Sequence, residues 1–221
     1  MPIENERKYV LDDPHGTLER FLGGAPGVEA FDVLQAYLDR DCRLRIFRPV
    51  ASPSGTPFQF RRGPAATGPL WPGDIPVLSF KRKVAGQQIE IECPVEPADA
   101  AVLLTTAGVV VSKRRFKFRD GEVCWDVDFM KSSGETYFVL AEAEMPVCMD
   151  APSRIPGFVQ AHMLFDAGRT GGFGNRKLAD VDQVRKAVRQ LRRQAVQRGG
   201  APSCNPDDYR DGWGTVFRMA A

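Results

Sequence analysis

Charge recurs along this chain at a spacing of two. Glu4 and Glu6 open the series, with Lys8 next in phase. Arg43/Arg45, Lys81/Lys83, Glu90/Glu92, Lys113/Arg115, Asp126/Asp128 and Glu142/Glu144 follow. Most of these pairs sit in stretches that otherwise read as β-strand, where residues i and i+2 point to the same side about 7 Å apart. Same-sign pairs on one face repel each other unless something neutralises them. A sheet carrying both signs is therefore built either for internal ion pairing or for a polyanion bound with metal.

The 221 residues suit one domain with a core, or a core with insertions; 26% are charged and 43% apolar. A net charge of +2 says nothing about nucleic acid, because charge is segregated locally; a nucleic-acid partner is not expected. The basic residues from Arg176 to Arg198 fall on an expected helix and read as a solvated face. Five scattered cysteines without a CxxC spacing argue for a reducing compartment and against a disulfide scaffold. His15 and His162 are the only histidines and read as loop or surface residues. A metal would then rest on carboxylates, which favours magnesium or manganese. The start, MPIENERKYVL, has no signal-peptide pattern, and no apolar run approaches about eighteen residues. These features lead to the expectation of a cytoplasmic protein without a membrane partner.

The periodicity predicts strands at 2–11, 77–84, 88–93, 109–117, 123–130 and 137–145, and a hairpin from Gln35–Leu38 and Arg43–Arg48. Short helices are expected at Thr17–Leu22 and Glu96–Leu104, the second with Pro97 in its first turn. The stretch 49–76 is rich in proline and glycine and reads as an insertion, with a flap or small hairpin through Phe58–Arg61. Asp180–Arg198 has an apolar stripe of Val181, Val184, Val188, Leu191 and Ala195, the pattern of an amphipathic helix. In the tail, Trp213, Val216 and Phe217 are candidates for packing back or for an edge strand. Six to eight antiparallel strands in short hairpins favour a closed or nearly closed barrel.

Each charged position alternates with apolar neighbours of the opposite phase: Trp125, Val127 and Phe129, for instance, interleave with Asp126 and Asp128. Either the charges face water over an apolar core, or they face a wet lumen while the apolar phase packs outward on helices. The helices favour the second design. Lysines and arginines lining a lumen would grip a chain of phosphates, and carboxylate pairs would hold a divalent ion against it. Walker, GxGxxG and nucleophile-elbow motifs are absent.

The opening Glu4-Asn5-Glu6-Arg7-Lys8 resembles the ExExK signature of the CYTH, or triphosphate tunnel metalloenzyme, superfamily. QAYL at 35–38, RLR at 43–45, SFKRK at 79–83, EIE at 90–92, KRRF at 113–116, WDVD at 125–128, LAEAEM at 140–145 and FGNRKLA at 173–179 follow in family order. The resemblance implies a mostly β fold with flanking helices: an eight-stranded antiparallel β-barrel forming a triphosphate tunnel over residues 1–180, with the 49–76 insertion. A C-terminal helix and tail, 181–221, would pack on it. It further implies Mg2+- or Mn2+-dependent hydrolysis of a linear triphosphate, inorganic triphosphate foremost. A class IV type adenylate cyclase and a non-catalytic polyphosphate or organic-phosphate binding module are the alternatives. Carried over by residue, Glu4, Glu6, Glu142 and Glu144 are metal carboxylates, with Asp128 and Glu92 as further metal or water-orienting groups. Lys8, Arg43, Arg45, Lys81, Lys83, Lys113 and Arg115 form the phosphate clamp. Lys8, Tyr37 and Lys83 are the catalytic candidates, Tyr37 positioning water or a lysine. Glu90 and Asp126 either support the lysines as ion pairs or bind metal directly. Homodimer formation is left open.

Overall fold

The computed structural model describes residues 3–50, 70, 72–168 and 173–197. Residues 51–69 and 71 of the insertion and the whole tail beyond residue 197, with the expectations attached to Phe58–Arg61, Trp213, Val216 and Phe217, lie outside the described residues. The strands are β1 (Ile3–Glu4), β2 (Glu6–Leu11), β3 (Glu29–Tyr37), β4 (Cys42–Pro49), β5 (Ile75–Val84), β6 (Gln87–Pro94), β7 (Val109–Asp120), β8 (Val123–Ser132), β9 (Glu135–Glu144) and β10 (Met163–Gly168). The helices are α1 (Thr17–Gly24), α2 (Pro97–Thr105), α3 (Gly157–His162) and α4 (Val181–Gln197). Among the described residues no helix is long and apolar enough to cross a membrane.

The strands form one ten-stranded antiparallel sheet in the order β1-β6-β5-β4-β3-β7-β8-β9-β2-β10. The expected eight-stranded closed barrel is therefore corrected to an open order with two ends. The cause lies in the first strand, expected to be continuous from 2 to 11. It breaks at Asn5: Ile3 and Glu4 pair with Ile89 and Gln88 of β6, whereas Glu6–Leu11 pair with β9. A strand has only two hydrogen-bonding edges, and β9 and β10 occupy both edges of β2. Strand β6 is left with a two-residue stub. Asn5 fixes the break, its Nδ2 donating to the carbonyls of Pro146 (2.7 Å) and Met149 (2.8 Å).

The tight hairpins follow from local chemistry. Ala85 and Gly86, and likewise Ser133 and Gly134, carry positive φ angles at successive turn positions, the geometry that matches strand twist. Packing separates the two faces. Tyr9, Phe116, Phe118, Trp125, Val127, Phe129, Ala141 and Ala143 share the apolar phase and bury against Leu18 and Leu22 of α1 and Phe158 and Val159 of α3. Trp125 stacks between Tyr9 (5.7 Å) and Phe118 (6.2 Å). On β3 and β4, Leu34, Ala36, Leu44 and Ile46 bury against Ala100 of α2. Full burial of such side chains is worth about 1.5–3 kcal/mol each. The apolar phase thus turns toward the helices and the charged phase away from them. His162, expected in a loop or at the surface, is instead fully buried, with Nδ1 3.0 Å from the Phe158 carbonyl oxygen.

At one end the charged face itself becomes apolar. Val10 follows Lys8 on β2, Leu140 precedes Glu142 on β9, and Val111 precedes Lys113 on β7. These side chains join Leu178, Val184 and Val188 in a second buried cluster. The Tyr137 hydroxyl donates to the Leu178 carbonyl at 2.8 Å. The stripe expected on the C-terminal helix is what holds α4 over this end.

Candidate active site

A cavity of about 710 Å³ lies over the charged face. Its lining brings together Glu4, Glu6, Lys8, Tyr37, Arg43, Arg45, Lys81, Lys83, Glu90, Arg115, Glu142 and Glu144, contributed by eight strands. Lys113, Asp126, Asp128 and Glu92 do not line it. Among the lining residues that the sequence did not single out as site residues are Arg176, read only as part of a basic run, and Asn175, named only within the FGNRKLA stretch. The signal available was a Gly-Asn-Arg run between the last strand and an amphipathic helix. Its direction depends on Leu178, whose burial turns the preceding residues toward the cavity.

The β7–β9 wall is a closed ionic lattice. Lys113 Nζ donates to Asp128 at 2.5 Å. Arg115 spans Asp128 through two 2.6 Å hydrogen bonds, and also meets Asp126 and, at 3.3 Å, Glu142. Lys117 closes on Asp126 at 2.6 Å. Lys8 Nζ binds Glu142 and lies 2.9 Å from Glu6. Burial works against charge here, yet Glu142 stays well below the usual carboxylate range because Lys8, Arg115 and Lys113 surround it. Burial would likewise lower Lys8, but Glu142 and Glu6 overcome it and raise its pKa. Asp128 also ionises more readily than usual, despite burial, because Arg115 and Lys113 both serve it. Lys113 is on the losing side: burial and the adjacent Arg115 push it down to about 8.

The β4–β6 side is less balanced. Arg43 (2.5 Å) and Arg45 (3.0 Å) share the carboxylate of Glu90. Arg45 also bonds Ser79 Oγ at 2.8 Å and pairs with Glu92. Burial, then Arg43 and Arg115, bring Arg45 down to about 10. Lys81 reaches Glu4 at 2.5 Å and Glu6 at 3.5 Å. Lys83, exposed and in register with Gln88, makes no ion pair among the described residues. Seven lysines and arginines face five glutamates around the lining, so the cavity carries a cationic excess. Tyr37 accepts a 2.6 Å hydrogen bond from Gln35 Nε2, and the Arg176 guanidinium lies 5.8 Å from its ring.

Glu4 and Glu6 have the chemistry of a divalent-cation site. Burial and the neighbouring Glu6 carboxylate raise Glu4 to about 8, against the opposing pull of Lys81. Its Oε2 is buried without a hydrogen-bond partner. A divalent ion would satisfy that oxygen and offset the carboxylate repulsion. Among the described residues no three acidic, histidine or cysteine groups form a cage. Magnesium, however, is ordinarily held by one or two carboxylates, with phosphate oxygens and water completing the shell, so this donor pair fits it. Glu144, exposed at the rim, is also raised by partial desolvation and by Asp126.

No protein-family model and no curated protein matches the chain. Among solved structures, the hypothetical protein NE1496 aligns at 16% identity and TM-score 0.44, over 80% of this chain and 97% of its own. PH1012 from Pyrococcus horikoshii OT3 aligns at 14% and 0.38, over 86% and 90%. A candidate adenylate cyclase from Bacillus halodurans aligns at 16% and 0.35, over 65% and 80%. At such low TM-scores these likenesses establish neither family nor activity.

Proposed function

We propose that the chain is a member of the CYTH, or triphosphate tunnel metalloenzyme, superfamily. In this reading it hydrolyses a linear triphosphate, inorganic triphosphate foremost, to diphosphate and phosphate with a divalent metal. The observation that carries the reading is the convergence of Glu4, Glu6 and Lys8 with Arg43, Arg45, Lys81, Lys83 and Arg115 around one cavity. These are the charged pairs of the motif series, drawn from strands far apart in sequence. A cationic cavity of this size suits a small polyanion. The domain in this reading comprises residues 1–180 with α4 packed against it.

Glu4 and Glu6 would hold the divalent ion, as magnesium or manganese. The bound ion would neutralise phosphate oxygens and orient water. Water attack on the terminal phosphorus breaks the adjacent P–O–P bond and sends its electron pair to the departing diphosphate. The chain's own part is to bind and orient the phosphates and stabilise that charge. Lys83 is best suited, since it makes no ion pair among the described residues, followed by Arg43, which shares the single carboxylate of Glu90 with Arg45. Arg115, held on three carboxylates, orients the wall rather than reaching far into the cavity.

The test is phosphate release from inorganic triphosphate with magnesium and then manganese, with thiamine triphosphate and ATP in parallel. Turnover that disappears in Glu6→Gln and Lys8→Ala supports the reading. Metal-dependent triphosphate binding without turnover of any substrate would replace hydrolysis by sensing, and cyclic AMP from ATP would replace it by cyclisation.

A further inference from the structure

The cavity is not symmetrical from end to end. Toward α4 its charged face gives way to the apolar cluster around Leu178, Val184 and Val188. Just before that cluster, Gly174, Asn175 and Arg176 join the cavity lining. The segment is fastened at both sides. Leu178 is buried and its carbonyl accepts from Tyr137, while Arg176 Nη1 donates to the Asp39 carbonyl in the β3–β4 turn at 3.2 Å. The Arg176 guanidinium also lies over the Tyr37 ring, which helps fix its direction. Arg176 makes no ion pair among the described residues, and a guanidinium has five N–H donors, so most remain for a ligand. A second observation points the same way: Asn175 Oδ1 is buried and has no hydrogen-bond partner.

A chain that threads through a binding site needs two open ends. Here one end carries a polar stop backed by packed apolar side chains. The terminal phosphoryl of a linear polyphosphate has three non-bridging oxygens, and an internal one has two. A planar fork of donors distinguishes them, and a terminal P–OH would satisfy the Asn175 acceptor. Resting on the phosphohydrolase reading, we propose that Arg176 is a specificity-determining residue. With Asn175 it reads the free terminal phosphoryl group of a linear polyphosphate and excludes substrates that have no free end.

The experiment measures binding and turnover of inorganic triphosphate by the full chain, beside cyclic trimetaphosphate and a dinucleoside triphosphate blocked at both ends. Wild type, Arg176→Ala and Arg176→Lys are compared after their melting temperatures are matched. The expected result is rejection of the two endless ligands by wild type. Arg176→Ala should raise KM for triphosphate about tenfold, the scale of one charge-assisted hydrogen bond, with a smaller change in kcat. Discrimination against trimetaphosphate should narrow, and Arg176→Lys should restore KM only in part. Wild-type turnover of triphosphate with KM and discrimination unchanged in Arg176→Ala overturns this inference alone. Failure of wild type to bind triphosphate at all overturns the phosphohydrolase reading and this inference with it.

Discussion

Two walls of one cavity use the same sequence device for different ends. On β7–β9, Lys113, Arg115, Asp126, Asp128 and Glu142 are all buried and satisfy one another. On β1, β5 and β6, Glu4 is raised to about 8, one of its oxygens is unpartnered, and Lys83 is unpaired among the described residues. A buried pair that loses one partner strands the other charge, whereas a half-paired group at a cavity can exchange its partner for a ligand at little cost. Charge pairs at a spacing of two therefore mark the face, and the balance of opposite charge within reach decides whether it is scaffold or receptor.

The contrast breaks most severely at Arg115. Arg115→Met leaves buried Asp128 with Lys113 alone and Asp126 with Lys117 alone, and removes an arginine shared by three carboxylates, so a loss of about 3–5 kcal/mol and a fall in melting temperature of about 10 °C are expected. Lys83→Ala should leave the melting temperature unchanged and weaken triphosphate binding; thermal melts and calorimetric titration on both variants check the pair. A comparable effect on stability from both substitutions would erase the distinction between the walls.

Removing an acid should have opposite effects on the two sides. Asp128→Asn destabilises, because Arg115 and Lys113 lose their shared carboxylate. Glu6→Gln relieves the carboxylate repulsion felt by Glu4, so urea unfolding should show stability retained or increased while metal-stimulated turnover disappears. Loss of stability in Glu6→Gln would instead assign Glu6 to the scaffold.

A smaller effect concerns pH. Lys113 is pushed down to about 8 from an ordinary 10.5. Below pH 8 both folded and unfolded chains hold its proton, and the cost of burying the charge is fully present. Between these values the unfolded chain binds more protons than the folded one, so this lysine makes stability rise with pH. Urea midpoints across that interval should rise more steeply in wild type than in Lys113→Met; parallel curves would refute the assignment. Smallest of all is the surface pair Arg7–Asp166, at 2.7 Å and partly exposed, where Arg7→Ala should cost under about 1 kcal/mol by the same measurement.

Much of the charged face was legible, because strand periodicity places i and i+2 together whatever the topology. Arg43 with Arg45, and Lys81 with Lys83, line one cavity as pairs for that reason. Sheet closure was not legible, since it turns on which edge of β2 is free. The competitor for that edge, β10, came from a segment with no clear alternation. The first half of β3 was missed as well: Asp32 interrupts its apolar run, and only its buried pairing with Arg114 explains why the strand tolerates it. Lys113, Asp128 and Glu92 show the remaining gap. Phase puts them on the right face, but the distance from the cavity depends on neighbours that no local pattern encodes.

The break at Asn5 also bears on how the chain folds. Its flanking residues find partners far downstream: Asn5 bonds a carbonyl 141 positions away, and Lys8 reaches its carboxylate across 134. Contacts of such separation carry a large loop-closure entropy and form slowly. During synthesis β2, with Lys8, must wait for its partner until β9 has emerged, whereas Glu4 can pair earlier with β6. Lys8 is then among the last groups of the cavity to find its partner, and a fragment ending before β9 would lack the Lys8–Glu142 contact altogether.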